Sequence, residues 1–173
     1  SVRRANSVAF DVREKGRTLN DPTTGKPLKD EHGEPLRQPG ILQGVKAIGW
    51  YIEEYGVAQI SMNITNIRSA PLHIAFEECR KSADRRGMRV TGSELVGLVP
   101  LAVMLDAGKF FLKRQQRSVG VSEAELIKIA VKSMGLDELA PFDPQRKIIE
   151  YNLESNNALR AKKLIRKDLE AFS

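Results

Sequence analysis

The sequence predicts an α+β fold: a ferredoxin-like two-layer α/β sandwich of the βαββαβ type with its first strand missing, extended by C-terminal helices and a final strand. Three observations predict it. Residues 57–65 alternate strictly, with Ala58, Ile60, Met62 and Ile64 on one face and Gln59, Ser61, Asn63 and Thr65 on the other. Val45–Glu53 is rich in β-branched and aromatic residues, and Glu54-Tyr55-Gly56 joins it to that strand as a tight turn. Helical apolar spacing flanks this hairpin on both sides. The order is then helix, strand, strand, helix, strand, and one strand in front completes the split unit. In such a sandwich the helices cover one sheet face and leave the other open.

Each element has its own signal. Over residues 1–16, Ala5, Val8, Ala9 and Val12 recur at helical spacing, and Gly16 is placed to end the helix. Residues 17–42 carry Pro22, Pro27, Pro35 and Pro39 among glycines, which excludes a helix and breaks sheet ladders. An exposed loop or irregular hairpin is expected there, with a short echo of Gly25-Lys26-Pro27-Leu28 in Gly33-Glu34-Pro35-Leu36. After the hairpin, Ser69 is placed as an N-cap and Pro71 in the first turn of a helix. Its apolar stripe is Leu72, Ala75, Phe76, Cys79 and Ala83, and Gly87 closes it.

Met88–Leu95 reads as a short strand. Pro100 starts a helix carrying Leu101, Met104, Leu105 and Phe111. Ser122 and Glu125 have capping-box spacing ahead of Leu126, Ile129, Ala130 and Val131, with Gly135 as the stop. Lys147–Leu153 reads as a final strand after Pro141 and Pro144. Residues 154–173 read as a basic helical tail or linker with Leu159, Leu164, Ile165 and Leu169 at helical spacing. The strand missing from the front suggests that Ser1 does not begin the folding unit, although removal of an initiator Met before Ser would give the same first residue.

The composition narrows the class of protein. Of 173 residues, 41% are hydrophobic and 29% charged, as in a globular chain rather than a disordered one. No apolar run approaches the roughly 20 residues of a membrane span, and Ser1-Val2-Arg3-Arg4 lacks a signal core. Cys79 is the single cysteine, which excludes an internal disulfide and suits a reducing cytoplasm. A net charge of +6 with a pI of about 9.5 favours anionic partners. The positive charge is not one block, however. Lys109, Lys113, Arg114 and Arg117 end one helix, and Arg160, Lys162, Lys163, Arg166 and Lys167 lie in the tail, a spread typical of solvated helix faces.

Three segments in order carry a more specific signal. Residues 45–54, Val-Lys-Ala-Ile-Gly-Trp-Tyr-Ile-Glu-Glu, lead into Ala58-Gln59-Ile60-Ser61-Met62-Asn63-Ile64-Thr65. Pro71-Leu72-His73 leads into Phe76-Glu77-Glu78. Residues 92–101 read Gly-Ser-Glu-Leu-Val-Gly-Leu-Val-Pro-Leu. Together with Leu139-Ala140-Pro141-Phe142 and Ile148-Ile149-Glu150-Tyr151, these resemble the C-terminal subdomain of glutamate formimidoyltransferases. That group includes the transferase half of bifunctional formimidoyltransferase-cyclodeaminases, and the resemblance covers residues 1–153. The loop at 17–42 is longer than in that family. Residues 162–172 resemble, more weakly, the entry into a cyclodeaminase domain.

The resemblance implies transfer of a formimino group from N-formimino-L-glutamate to tetrahydrofolate, in histidine degradation. Tetrahydrofolate is then a co-substrate and no metal is required. It also implies that the acid/base histidine lies in an N-terminal subdomain absent here, so this chain holds no catalytic residue and is inactive by itself. That subdomain is the implied partner, with a homodimer as a further expectation. Folate contacts are implied near Ala47 and at Pro100-Leu101.

To these positions the residue chemistry adds Gly49, Asn63 and Gly97. A pterin needs apolar walls and a few fixed polar groups, and glycines allow backbone to approach a ligand. The bland alternative is that Gln59, Ser61 and Asn63 simply face water. His32 is expected to be exposed and His73 packed or capping, and neither has metal-ligand spacing with Cys79, which falls on the core stripe. Glu53-Glu54 and Glu77-Glu78 are sequence neighbours that point apart, so neither is a carboxylate dyad. The Gly92–Gly97 stretch lacks the Lys-Ser/Thr ending of a phosphate-binding loop. A different class, a basic ferredoxin-like RNA-binding module, requires stacking aromatics on the central strands. Trp50 qualifies, but residues 60–65 contain none. A purely structural dimerisation domain fits the open face and explains none of the segments.

Overall fold

A computed structural model describes residues 1–159. The fold is α+β, and the described chain divides into two compact units, residues 1–90 and one that begins at residue 91.

In the first unit, helix α1 (Val2–Val12) precedes a projecting arm held by two-residue strands β1 (Arg17–Thr18) and β2 (Arg37–Gln38). The main hairpin follows, β3 (Val45–Ile52) against β4 (Val57–Ile64) in full antiparallel register, and then helix α2 (Leu72–Asp84). Gly56 supplies positive φ in the connecting turn. The expected helix over 1–16 stops at Val12, because Arg13 turns to extended backbone. The chain then runs back alongside the helix end, where Ile41 and Leu42 N–H groups donate to Asp11 and Val12 carbonyls.

The core of this unit is built from small residues. Ala5, Val8, Ala9 and Val12 of α1 pack on Val45 and Ala47 of β3 and on Ala75, Cys79 and Ala83 of α2. Gly49 sets the helix-to-sheet distance. A Cβ built there would stand 2.7 Å from Ala5 Cβ and closer still to the backbone of Ala5 and Asn6. Asn6 Oδ1 also accepts the Gly49 N–H at 3.0 Å. Asp11 locks α1 to α2: its carboxylate accepts from Ser82 Oγ at 2.6 Å, from Arg86 at 2.6 Å and from Arg17.

The proline-rich arm is an irregular hairpin, as expected. Each half of the sequence echo is a turn nucleated by an aspartate. Asp21 Oδ1 accepts from the Thr23 and Thr24 N–H groups, and Asp30 Oδ1 from those of His32 and Glu34. The backbones of Leu19, Leu28 and Leu36 join in a ring of three hydrogen bonds at the base of the two turns.

Three expectations fail. Ser69 does not cap α2; its N–H donates to Asn66 Oδ1, and Pro71 occupies the N-cap position. Met88–Leu95 forms no strand, because no ladder partner lies beside it among the described residues. Instead Met88 and Val90 pack against the small-residue core. Lys147–Leu153 is not a strand either. Ile148 makes one parallel bridge to Val99, and residues 149–159 then run as a helix. Ile149, Tyr151, Asn152 and Ser155 are its half-buried residues, and the helical spacing of the last three outweighs the β-branched pair Ile148-Ile149. The tail residues 160–173 lie outside the described residues.

The second unit is mainly helical: α3 (Leu101–Arg114), α4 (Glu123–Met134), the short α5 (Pro144–Lys147) and the helix at 149–159. Met104, Leu112, Met134 and Ile148 are its most deeply buried large side chains. Ser122 caps α4, its Oγ accepting from the Glu125 N–H, and Gly135 ends the helix in the left-handed conformation. Gly108 lets α4 approach α3 closely, since a Cβ there would stand 2.8 Å from the Leu126 carbonyl carbon and closer still to its oxygen.

Two stability effects follow from the first unit. Gly49→Ala forces the added methyl into α1 and is expected to cost about 2–3 kcal/mol in urea unfolding. Asp11→Ala removes the carboxylate that Ser82, Arg86 and Arg17 share, for a loss of about 2 kcal/mol at pH 7. Burial raises the Asp11 pKa, but donors from Ser82, Arg86 and Arg17 together outweigh it and hold the carboxyl below its ordinary 3.8. The stabilisation is therefore present above pH 4 and lost as the pH falls through the folded-state value. The gap between wild-type and Asp11→Ala midpoints should narrow correspondingly in acid.

Candidate functional site

The hairpin has two unlike faces, and register assigns every residue to one of them. Val45, Ala47 and Gly49 stand opposite Ile64, Met62 and Ile60, and this face is covered by α1. Lys46, Ile48 and Trp50 stand opposite Asn63, Ser61 and Gln59, and nothing in the first unit covers them. Ile48 is 56% exposed and Trp50 51%, a large apolar exposure for two side chains separated by one residue on a strand. The indole is not loose. Its Nε1–H donates to Gln59 Oε1 at 2.7 Å, directly across the strands. The open face thus combines an apolar wall (Ile48, Trp50), a hydroxyl and two amides (Ser61, Asn63, Gln59) and a cation (Lys46).

The sequence-derived candidates divide unequally over this geometry. Asn63 lies on the open face and is exposed. Ala47 is only 8% exposed and its side chain belongs to the core. Gly49 is bare to admit α1, so the close backbone approach expected there is taken up by Ala5 and Asn6. In the second unit, Gly97 sits at positive φ with no atom near the position of a Cβ, inside an exposed apolar segment where Val96 is 84% exposed. Pro100 is the N-cap residue of α3, and Leu101 is its first residue. The Leu101 N–H donates to Glu150 Oε2 at 2.7 Å, which places a carboxylate at the positive end of that helix. Sequence reasoning missed Lys46, Ile48 and, as part of a ligand face, Trp50. Period-two alternation in β3, read across the hairpin register, was the signal that could have found them.

The remaining reactive groups are engaged structurally. Cys79 is buried with Sγ 3.5 Å from Met62 Sδ, and burial pushes its thiol up to about 12. Glu77 pairs with Arg80 and Glu78 with Lys81, so the neighbouring carboxylates do point apart. His73 is buried and His32 is an exposed arm residue. The Tyr151 hydroxyl donates to Glu123, which raises its pKa to about 12. Among the described residues no three His, Cys, Asp or Glu side chains gather as a metal site, and no helix is long and apolar enough to cross a membrane. A cavity of about 190 Å³ lies on the helical side of the first unit, lined by Phe10, Asp11, Arg17, Gln38, Pro39, Ile41 and Arg85.

Comparison with known proteins decides the family. Residues 1–154 match the model of the formiminotransferase domain. The chain belongs to the formiminotransferase domain family. A formimidoyltransferase-cyclodeaminase of Gallus gallus is 38% identical over 168 residues, 97% of this chain and 27% of that protein. The Mus musculus protein of the same name is 46% identical over 121 residues, 70% of this chain and 22% of its own length. A glutamate formimidoyltransferase of Thermoplasma acidophilum is 39% identical over 74 residues, 43% of this chain and 24% of its length. The chain thus spans about a quarter of the length of these curated relatives.

The burial of Cys79 has a direct chemical readout. A thiol held at a pKa of about 12 is essentially all protonated at pH 8 and unreactive. Ellman's reagent should therefore label native protein slowly, and label one equivalent per chain rapidly once urea unfolds it.

Proposed function

We propose that this chain is the folate-binding part of a glutamate formimidoyltransferase, which moves a formimino group from N-formimino-L-glutamate to tetrahydrofolate in histidine degradation. Family membership over residues 1–154 carries the reading. The open β3–β4 face supports it, because a flat polar heterocycle needs that mixture of apolar wall and fixed hydrogen-bonding groups. The work of this chain is then positioning. In the reaction a folate nitrogen attacks the amidine carbon, the glutamate nitrogen takes up a proton, and the carbon–nitrogen bond to glutamate breaks. Such a step gains most from holding both partners in attack geometry and from one proton shuttle.

Asn63 on the open face is the folate contact proposed for the first unit, and Gly97, Pro100 and Leu101 are proposed separately for the second. Ala47 and Gly49 contribute from beneath, by seating the strand on α1. The acid/base group is assigned to a part of the enzyme outside this chain, an N-terminal subdomain. Lys46 and the general positive charge suit the carboxylates of folate and its polyglutamate tail. A cytoplasmic location is proposed with it, which a single cysteine suits. One observation favours a second reading, RNA binding: the exposed indole of Trp50.

Two measurements test this assignment. Equilibrium dialysis should detect 5-formyltetrahydrofolate bound to the isolated chain, little affected between 50 and 200 mM salt. Binding of single-stranded RNA that falls steeply over the same range would favour the second reading instead. In a coupled assay the chain alone should transfer no formimino group, and addition of an N-terminal formiminotransferase subdomain should restore transfer. Turnover by the isolated chain would contradict the assignment of the proton shuttle.

A further inference from the structure

We infer that Trp50 is the stacking wall for the pterin ring and that Gln59 is the positioning residue that fixes its plane. The inference rests on the folate reading above and specifies what the open face does within it.

The indole stands on the uncovered side of the hairpin, half in solvent, where burial against the protein's own core does not explain it. Its ring nitrogen is tied to the residue directly opposite on β4 at 2.7 Å. A hydrogen bond across the register restricts rotation of the ring about its side-chain torsions, so a ligand that stacks on it loses little further freedom. Gln59 uses its carbonyl oxygen as the acceptor and retains two amide N–H donors beside the indole. These donors suit the acceptor atoms of a pterin edge.

The remainder of the face extends from this pair in a fixed order. Ile48, two residues from Trp50 on the same strand face, prolongs the apolar wall, and Ser61 stands opposite it. Lys46 is four residues from Trp50, roughly 13 Å along the strand at the usual rise. An aromatic platform at one end and an ammonium group at the other match a ligand with a flat heterocycle at one end and carboxylates at the other. The chemistry required is thus a planar, hydrogen-bonding aromatic system carrying a remote negative charge.

Trp50 is also the single tryptophan of the chain, so the face reports on itself. The test compares wild type, Trp50→Phe, Trp50→Leu and Gln59→Leu, each first shown by circular dichroism and urea unfolding to be folded. Affinity is measured by equilibrium dialysis with labelled 5-formyltetrahydrofolate, and also with pterin-6-carboxylate and with p-aminobenzoylglutamate. Trp50→Leu should weaken 5-formyltetrahydrofolate and the pterin fragment about tenfold and leave p-aminobenzoylglutamate unchanged, while Trp50→Phe should stay within about threefold of wild type. Gln59→Leu should lower the fluorescence anisotropy of Trp50 before ligand is added, and should weaken the pterin fragment severalfold. Equal binding of the pterin fragment by wild type and Trp50→Leu would overturn the stacking role while the folate reading stood. No binding of 5-formyltetrahydrofolate by folded wild type would instead overturn the folate reading itself, and the stacking role with it.

Discussion

The first unit depends on how closely α1 lies on β3 at Gly49. The alanines and valines of α1 are short, and the strand residue beneath Ala5 and Asn6 has no side chain, so helix and sheet meet almost backbone to backbone. That contact decides which side of the hairpin is covered. Register then leaves Lys46, Ile48, Trp50, Gln59, Ser61 and Asn63 on the other side. A larger residue at position 49 would lift the helix and blur the difference between the two faces. The Asp11 carboxylate, shared by Ser82, Arg17 and Arg86, completes the arrangement by tying α2 to the same helix.

Much of this was legible in the sequence, wherever a local signal and the tertiary environment agreed. The alternation of β4 survives from Ile60 to Ile64, where Ile60, Met62 and Ile64 pack and Ser61 and Asn63 do not, but it fails at Ala58, which is exposed. Ser122 and Gly135 bound α4 through hydrogen bonds and a left-handed turn that involve only nearby residues. Cys79 lies on an apolar stripe and is buried as the stripe requires. Ser69 loses its cap role to a local competitor, Asn66, whose Oδ1 accepts its N–H, whereas the two strand failures turn on pairing. Met88–Leu95 has strand-like residues, but a strand exists only with a neighbour, and the described chain offers none. At Lys147–Leu153 the β-branched pair suggested extension, whereas helical spacing of the inward residues prevailed after Ile148.

The candidate site was only partly legible, for a related reason. Asn63 could be assigned to the open face from alternation in its own strand. Gly49 could be recognised as a point of close approach, but the sequence does not say what approaches, and the answer is α1. Ala47 shares that orientation. The aromatic and aliphatic side chains that give the open face its character, Trp50 and Ile48, became visible only when β3 and β4 were placed in register. The Gly-x-Pro-Leu echo likewise gained meaning from structure, as two aspartate-nucleated turns in the projecting arm.

On the proposed reading, this division of the hairpin separates binding from chemistry. Among the reactive groups of the described chain, the thiol is buried, the adjacent glutamates are salt-bridged and Tyr151 is held by Glu123. What remains available on the open face is recognition: one aromatic, one aliphatic, two amides, a hydroxyl and an ammonium group. The most direct test is an amide chemical-shift map of the ¹⁵N-labelled chain titrated with 5-formyltetrahydrofolate. The largest shifts in the first unit should fall at positions 46, 48, 50, 59, 61 and 63, with the Trp50 indole N–H among them. Shifts confined to α1, α2 and the Arg17–Arg85 cavity would contradict the account, because the ligand would then occupy the face that the helices cover.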